Sequence, residues 1–166
     1  MKTGSIKKYA LSCFLLTIPI HVWNIFLTNK LPKEFQSEIF KNDIPVFLTY
    51  GENISRLVVL MLPLLMPLRI LTNTQKRGLF LYIAGTILYF ASWLAMIYFP
   101  HSDWSNSVFG FMAPAYTPLF WLTGIGLIGY SFYFNLPYRR WYYILISIVF
   151  LIFHNLHVMT IYFRTH

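Results

Sequence analysis

Two apolar segments of this chain carry histidine and other polar residues at the spacing of one helical face. In the first segment the polar residues follow one another at intervals of four, three and four: Thr17, His21, Asn24 and Thr28. In the last segment the intervals are three, three and four: His154, His157, Thr160 and Arg164. Residues three and four positions apart lie on the same side of a helix. We therefore expect both polar faces to contact protein or an internal cavity instead of lipid.

A third polar group begins the second apolar segment. Glu52 and Arg56 are one helical turn apart, so their side chains can pair, and Asn53 is beside them. Because this group is at the edge of the segment, we interpret Glu52 and Arg56 as a surface ion pair that contributes less than about 1 kcal/mol. Together with Asn155, these groups define the predicted ligand-binding residues: His21, Asn24, Glu52, Asn53, Arg56, His154, Asn155 and His157.

The histidines allow three chemistries, because ionisable side chains are costly inside a bilayer and normally face a partner or a cavity. His21, His154 and His157 are candidate zinc ligands, with Glu52 or Asp103 as general base. Two histidines on facing helices are also candidate haem ligands. Alternatively, each imidazole only hydrogen-bonds to an adjacent helix. The sequence contains no His-Glu-x-x-His, Gly-x-Ser-x-Gly, phosphate loop or cysteine cluster, so it identifies no catalytic residue.

The composition indicates which elements position these residues. Of the 166 residues, 57% are hydrophobic and 11% are charged, whereas an ordinary soluble domain has roughly 25% charged residues. The apolar residues form separate runs close to the roughly 20 residues that a helix needs to cross a bilayer. We therefore predict an all-α bundle of about five transmembrane helices in a single domain, residues 1–166. The predicted spans are 9–27, 54–71, 79–99, 116–134 and 142–163.

The basic residues indicate the orientation of the bundle. The formal charge is +8, but the lysines and arginines are scattered through short connections, which argues against a nucleic-acid partner. Basic residues are enriched in cytoplasmic connections of membrane proteins. Eight of the 13 basic residues would share the side of the N-terminus: Lys2, Lys7, Lys8, Arg69, Lys76, Arg77, Arg139 and Arg140. We predict a cytoplasmic N-terminus and, after five crossings, a C-terminus outside.

Proline adds two local expectations. In the first outer connection Pro32 could open a short interfacial helix whose Leu31, Phe35 and Ile39 share one face. In the second predicted span, Pro63 and Pro67 each remove a backbone donor and are expected to kink the helix.

These features favour a binding or accessory module with an outward-facing polar and aromatic cavity for a lipid or hydrophobic small molecule. The alternatives are a membrane redox protein with bis-histidine haem and a metal-dependent hydrolase or transferase that acts on a lipid. Expected partners are membrane lipids, with an amphiphilic ligand or a larger membrane complex. The small size and compact loops favour a bacterial plasma membrane.

Overall fold

The computed structural model describes residues 11–166, which fold into helices joined by turns and short irregular segments. No β-strand occurs in this range, although Ser12 and Pro67 form an isolated antiparallel bridge. The start of the predicted first span, Tyr9, and three of the basic residues used for orientation, Lys2, Lys7 and Lys8, lie outside the described residues. Five helices of ten or more residues occur within residues 11–166: α1 (Ile18–Leu27), α2 (Val46–Met61), α3 (Asn73–Tyr98), α4 (Pro118–Ile128) and α5 (Arg140–Thr165).

Two of the helices in residues 11–166, α3 and α5, are long and apolar enough to cross a membrane. Each has 26 residues, which corresponds to about 39 Å at about 1.5 Å per residue. A capping box between Thr72 and Gln75 starts α3, and the Gln75 amide also donates to the carbonyl of Ile128 at the end of α4. Polar caps thus extend α3 six residues ahead of the predicted span 79–99.

Helix α2 lies earlier in the chain than the predicted span 54–71. It begins directly after Pro45 and ends at Met61. Pro63 then belongs to a 3-10 turn, Leu62–Leu65, and Met66 has an extended backbone. Because the residue before a proline is restricted to extended conformations, Pro67 prevents the helix from resuming. The two prolines therefore end the helix, where the sequence had suggested a kink.

The extended segment after α2 pairs with the chain that precedes α1. The Cys13 amide donates to the carbonyl of Met66 at 2.8 Å, and the Leu68 amide donates to the carbonyl of Leu11 at 2.9 Å. A 3-10 turn, Cys13–Leu16, then leads into α1. The first predicted span is therefore a short turn followed by a short helix within its described part.

Helix α4 is also shorter than its predicted span, 116–134, because it ends at Ile128, where Gly129 adopts an extended conformation. Short helical turns precede it, Asp103–Asn106, Val108–Phe111 and Ala113–Tyr116. Helix α3 packs along α4, and α5 packs against α2 and α4. The core between these helices includes Tyr89, Trp121 and Tyr143.

The first long connection is broken into two turns, Lys33–Phe35 and Ser37–Phe40, because Gln36 between them is extended. The predicted interfacial helix with one shared apolar face is therefore absent from this part of the described chain. Phe35 instead packs on Trp93 and Phe111, with ring centroids 5.1 and 4.8 Å away. The connection lies against the bundle, over the C-terminal halves of α3 and α5.

Candidate functional site

A buried carboxylate, Glu52, joins α2 to α5. Glu52 is only 2% exposed, and its two carboxyl oxygens contact both histidines of the α5 face. The Nδ1 atom of His154 is 2.9 Å from Glu52 Oε1, and the Nδ1 atom of His157 is 2.5 Å from Oε2. Arg56, one turn further along α2, also donates to Oε1. We call Glu52, Arg56, His154 and His157 the polar cluster.

The polar cluster depends on a close approach between α2 and α5. Gly51, next to Glu52, faces the ring of Phe153, next to His154, and a Cβ atom at Gly51 would be 2.4 Å from that ring. A larger residue at this position would require the Phe153 ring to move. The three-residue spacing of His154 and His157 then presents both imidazoles to one carboxyl group.

The interpretation of Glu52 and Arg56 as a surface ion pair is wrong. Arg56 is partly exposed, with 43% of its side chain accessible, but the Glu52 side chain is only 2% accessible. A sequence pattern of spacing four fits a surface pair equally well, because it does not reveal the two histidines more than a hundred positions away. In the folded chain Glu52 is a buried anion with three polar partners, for which loss of the carboxylate is costly.

The protons of the polar cluster can be counted from its acceptors. The Nε2 atom of His157 lies 2.8 Å from the carbonyl oxygen of Phe40, so this nitrogen must donate, and its Nδ1 faces Glu52. One proton therefore lies between His157 and Glu52, on either partner. Since Arg56 is charged and His154 needs one proton to donate to Glu52, the cluster carries one excess positive charge in either case.

A cavity of about 400 Å³ lies beside the polar cluster. Its polar wall comes from α1, α2 and α5: His21, Asn24, Thr28, Arg56 and His154. Aromatic side chains form much of the remaining wall: Phe35, Phe40, Tyr89, Trp93, Trp121 and Phe150. None of the described residues that line it is acidic, because Glu52 is buried behind Arg56 and His154. The cavity thus combines an apolar volume with a basic end.

Aromatic contacts fix the orientation of the basic groups. The ring of Phe150 stacks on His154, with centroids 5.4 Å apart, and the Arg56 guanidinium carbon is 5.8 Å from the centroid of the same ring. On the opposite wall Tyr89 donates to Asn24 Oδ1 at 2.7 Å, which holds α1 against α3. Trp23 and Phe90 stack at 4.0 Å in the same interface.

The predicted site residues separate into four groups. His21, Asn24, Arg56 and His154 line the cavity, whereas Glu52 and His157 are buried behind its wall. Asn53 is exposed on the outer side of α2. Asn155 lies away from the cavity wall: its amide donates to the carbonyls of Ala115 and Leu151, at 3.2 and 2.8 Å, and so ties α5 to the turn before α4.

The geometry restricts the metal and haem hypotheses. Both ring nitrogens of His157 are engaged, so His157 can ligate a metal only if it gives up Glu52 or Phe40. Within residues 11–166 no group of three or more His, Cys, Asp or Glu residues is arranged to hold a metal ion. Any ligation would fall to His21 and His154, which line the same cavity. Asp103, the other candidate general base, is exposed.

Several site residues were missed from the sequence. Tyr89, Trp93 and Trp121 supply cavity wall, although aromatic residues in apolar helices are expected simply as packing or interfacial groups. The carbonyl of Phe40 was not foreseeable, because a main-chain acceptor has no sequence signature. The helical period of α3, which places Tyr89 and Trp93 one turn apart, was the available signal.

The connection over the cavity is held down from α5. His157 donates to the carbonyl of Phe40, while the Arg164 guanidinium donates to Ile39 at 2.5 Å and to Asn42. The ring of Phe40 also stacks on His157 with centroids 4.4 Å apart. These contacts keep Phe35 and Phe40 against the cavity, so the segment 31–43 forms its cover.

Arg164→Gln should loosen this cover. The variant loses the charged donors to Ile39 and Asn42, and the exposed Lys41 between them should be cleaved by trypsin several-fold faster, because proteolysis follows the population of open segments. Limited trypsin digestion with mass identification of the fragments measures this rate. Arg139→Gln, exposed in a different connection, should leave cleavage at Lys41 unchanged; equal rates in all three proteins would contradict the anchoring role.

Comparisons with models of protein families, with curated proteins and with solved structures find no match to this chain.

Proposed function

We propose that this chain is a multi-pass membrane protein that binds an amphiphilic molecule in the cavity beside the polar cluster. The observation that carries the proposal is an apolar, aromatic volume of about 400 Å³ that ends in a cluster of basic side chains. Small-molecule sites are typically mainly apolar cavities with a few placed polar groups. Such a volume matches a ligand with a hydrocarbon part and a polar head.

The outer surface of the helices supports a membrane location. Large apolar side chains are strongly exposed on α1, α3 and α5, including Phe26 at 76%, Phe80 at 75% and Trp141 at 66%. The most apolar stretches of α3 and α5 are only 33% buried, whereas the core helix of a soluble protein is mostly buried. Exposed apolar patches of this extent mark interaction with lipid or with a partner.

The proposed arrangement has about five crossings, with α1, α2 and α4 as short or broken spans beside the long helices α3 and α5. Short helices are tolerated at membrane depth where their irregular ends are covered by protein or line a cavity. The basic residues Arg69, Lys76, Arg77, Arg139 and Arg140 then face the cytoplasm, and the cavity faces outward. A bacterial plasma membrane is the proposed location.

A single-cysteine protection experiment tests ligand binding. Leu60 lines the cavity, whereas Leu57 on the same helix is 59% exposed on the outer surface. Each is changed to cysteine in a Cys13→Ala background, and the protein is purified in a bulky sterol-based detergent. We expect a long-chain fatty acid or lysophospholipid to slow maleimide labelling of Leu60→Cys in a saturable way, because ligand in the cavity blocks the thiol.

Leu57→Cys is the matched control for this experiment. Its labelling should change only as far as detergent composition changes, without saturation. Equal protection at both positions would indicate adsorption to the apolar surface. Absence of protection at Leu60→Cys by every amphiphile tested would reject the proposed function.

A further inference from the structure

We propose that the head group of the bound amphiphile is an anion, a carboxylate or a phosphate, that contacts Arg56. This inference rests on the proposed function, since it names the class of ligand for the same cavity. It follows from the charge of the polar cluster, from the groups that the cluster leaves open, and from the position of the cover.

The polar cluster has a net positive charge. Arg56, His154, His157 and Glu52 together carry one excess positive charge, because Glu52 offsets only one of the cationic groups. The surroundings supply no negative charge, since the cavity wall otherwise contains aromatic and aliphatic side chains with His21, Asn24 and Thr28, and no described acidic residue. A charge in low-dielectric surroundings is costly until it is paired. An anionic ligand supplies the missing partner.

Arg56 presents hydrogen-bond donors to the cavity. Arg56 uses one terminal nitrogen for Glu52, and a guanidinium has five N–H donors, so it retains donors for a second acceptor. Its side chain is 43% accessible, and it lines the cavity together with His154. The Nδ1 atom of His154 donates to Glu52, so the Nε2 atom of this singly protonated ring is an acceptor and can contact only a protonated oxygen of the head group. The planar fork of N–H donors on Arg56 suits planar or tetrahedral oxyanions.

The apolar part of the cavity accommodates the hydrocarbon tail of the proposed ligand. The apolar wall of the cavity includes Tyr89, Trp93 and Trp121 together with the cover residues Phe35 and Phe40. These side chains offer no charge and suit a hydrocarbon chain. Because His157 shares a proton with Glu52 and donates to the carbonyl of Phe40, the side chain that pairs with the carboxyl group also holds the cover in place. Head-group binding and cover position therefore share one residue.

The test compares amphiphiles that have the same hexadecyl tail. Palmitate, hexadecyl phosphate, hexadecanol and hexadecyltrimethylammonium are titrated against Leu60→Cys in the protection experiment. We expect both anions to bind about tenfold or more tightly than the alcohol, because a charge-assisted hydrogen bond corresponds to at least that factor in affinity. The cation should bind most weakly. The ratio of palmitate to hexadecyl phosphate distinguishes a fatty acid from a phosphate-bearing lipid as the preferred class.

Substitutions of Arg56 test whether this residue causes the preference for anionic amphiphiles. Arg56→Gln, which keeps a donor for Glu52, should weaken binding of both anions about tenfold and leave hexadecanol nearly unchanged. Arg56→Lys should retain part of the preference, because it keeps the charge and loses the planar fork. Arg69→Gln removes an exposed arginine that lines a different pocket, and it should leave all four affinities unchanged. Size-exclusion profiles and melting temperatures confirm that each variant is folded.

The outcomes separate this inference from the proposed function. If none of the amphiphiles protects Leu60→Cys, the proposed function fails. If they protect it with equal affinity, or if the cation binds best, the cavity binds amphiphiles and the anionic head group is rejected. Protection by inorganic phosphate alone at the same concentration would overturn the assignment to an amphiphile. An anion preference that survives Arg56→Gln would reject Arg56 as its contact.

Discussion

Glu52→Ala is expected to destabilise the protein by about 3 to 5 kcal/mol, the cost typical of removing one partner from a buried ion pair. The Glu52 carboxyl group is buried and is hydrogen-bonded to Arg56, His154 and His157. Without it, three basic groups face one another at the junction of α2 and α5. Titration of the purified protein with sodium dodecyl sulfate in mixed micelles, followed by circular dichroism, measures the free energy of unfolding.

The controls separate loss of the buried anion from loss of any acidic residue. Glu38→Ala removes an exposed carboxylate from the cover and should change the free energy of unfolding by less than about 0.5 kcal/mol. A double-mutant cycle with His157→Ala should show coupling, because the second substitution removes a partner that the first leaves unpaired. Additive effects of the two substitutions would mean that the Glu52 contact to His157 contributes nothing to stability.

Helical periodicity predicted the faces of α1 and α5 but not the partner of each residue. The spacing of His21, Asn24 and Thr28 placed them together, and all three line the cavity. The spacing of His154 and His157 likewise placed them on one face, and both contact Glu52. The burial of Glu52 was not predicted, because burial depends on which helix packs against α2, and local spacing contains no such information.

The helix bounds were predicted best where the apolar run and the helix coincide. Helices α3 and α5 cover the predicted spans 79–99 and 142–163 almost completely, with small shifts at their ends. Composition alone misplaced α2, because the run continues through Pro63 and Pro67 although the helix ends at Met61. Hydropathy measures transfer into an apolar phase, whereas helix ends are set by backbone donors and by the conformations that proline allows.

Gly124→Ala should destabilise the protein by about 3 kcal/mol, although alanine is favoured over glycine in a helix by about 1 kcal/mol. A Cβ atom at Gly124 in α4 would lie 2.5 Å from the amide nitrogen of Tyr82 and 2.7 Å from the carbonyl oxygen of Gly78, both on the backbone of α3. Backbone cannot rotate aside as a side chain can, so the two helices must separate. Their separation would also move Tyr89 and Trp121 apart and enlarge the cavity.

Gly126→Ala provides the matched control on the same helix. Its Cβ atom would meet the Cγ1 atom of the Ile144 side chain at 2.7 Å, and a side chain can adjust where backbone cannot. We expect a loss of about 1 kcal/mol or less. Unfolding in sodium dodecyl sulfate compares the variants directly. If Gly124→Ala were as stable as Gly126→Ala, α3 and α4 would not pack as closely as the glycines indicate, and the cavity wall that depends on them would need to be revised.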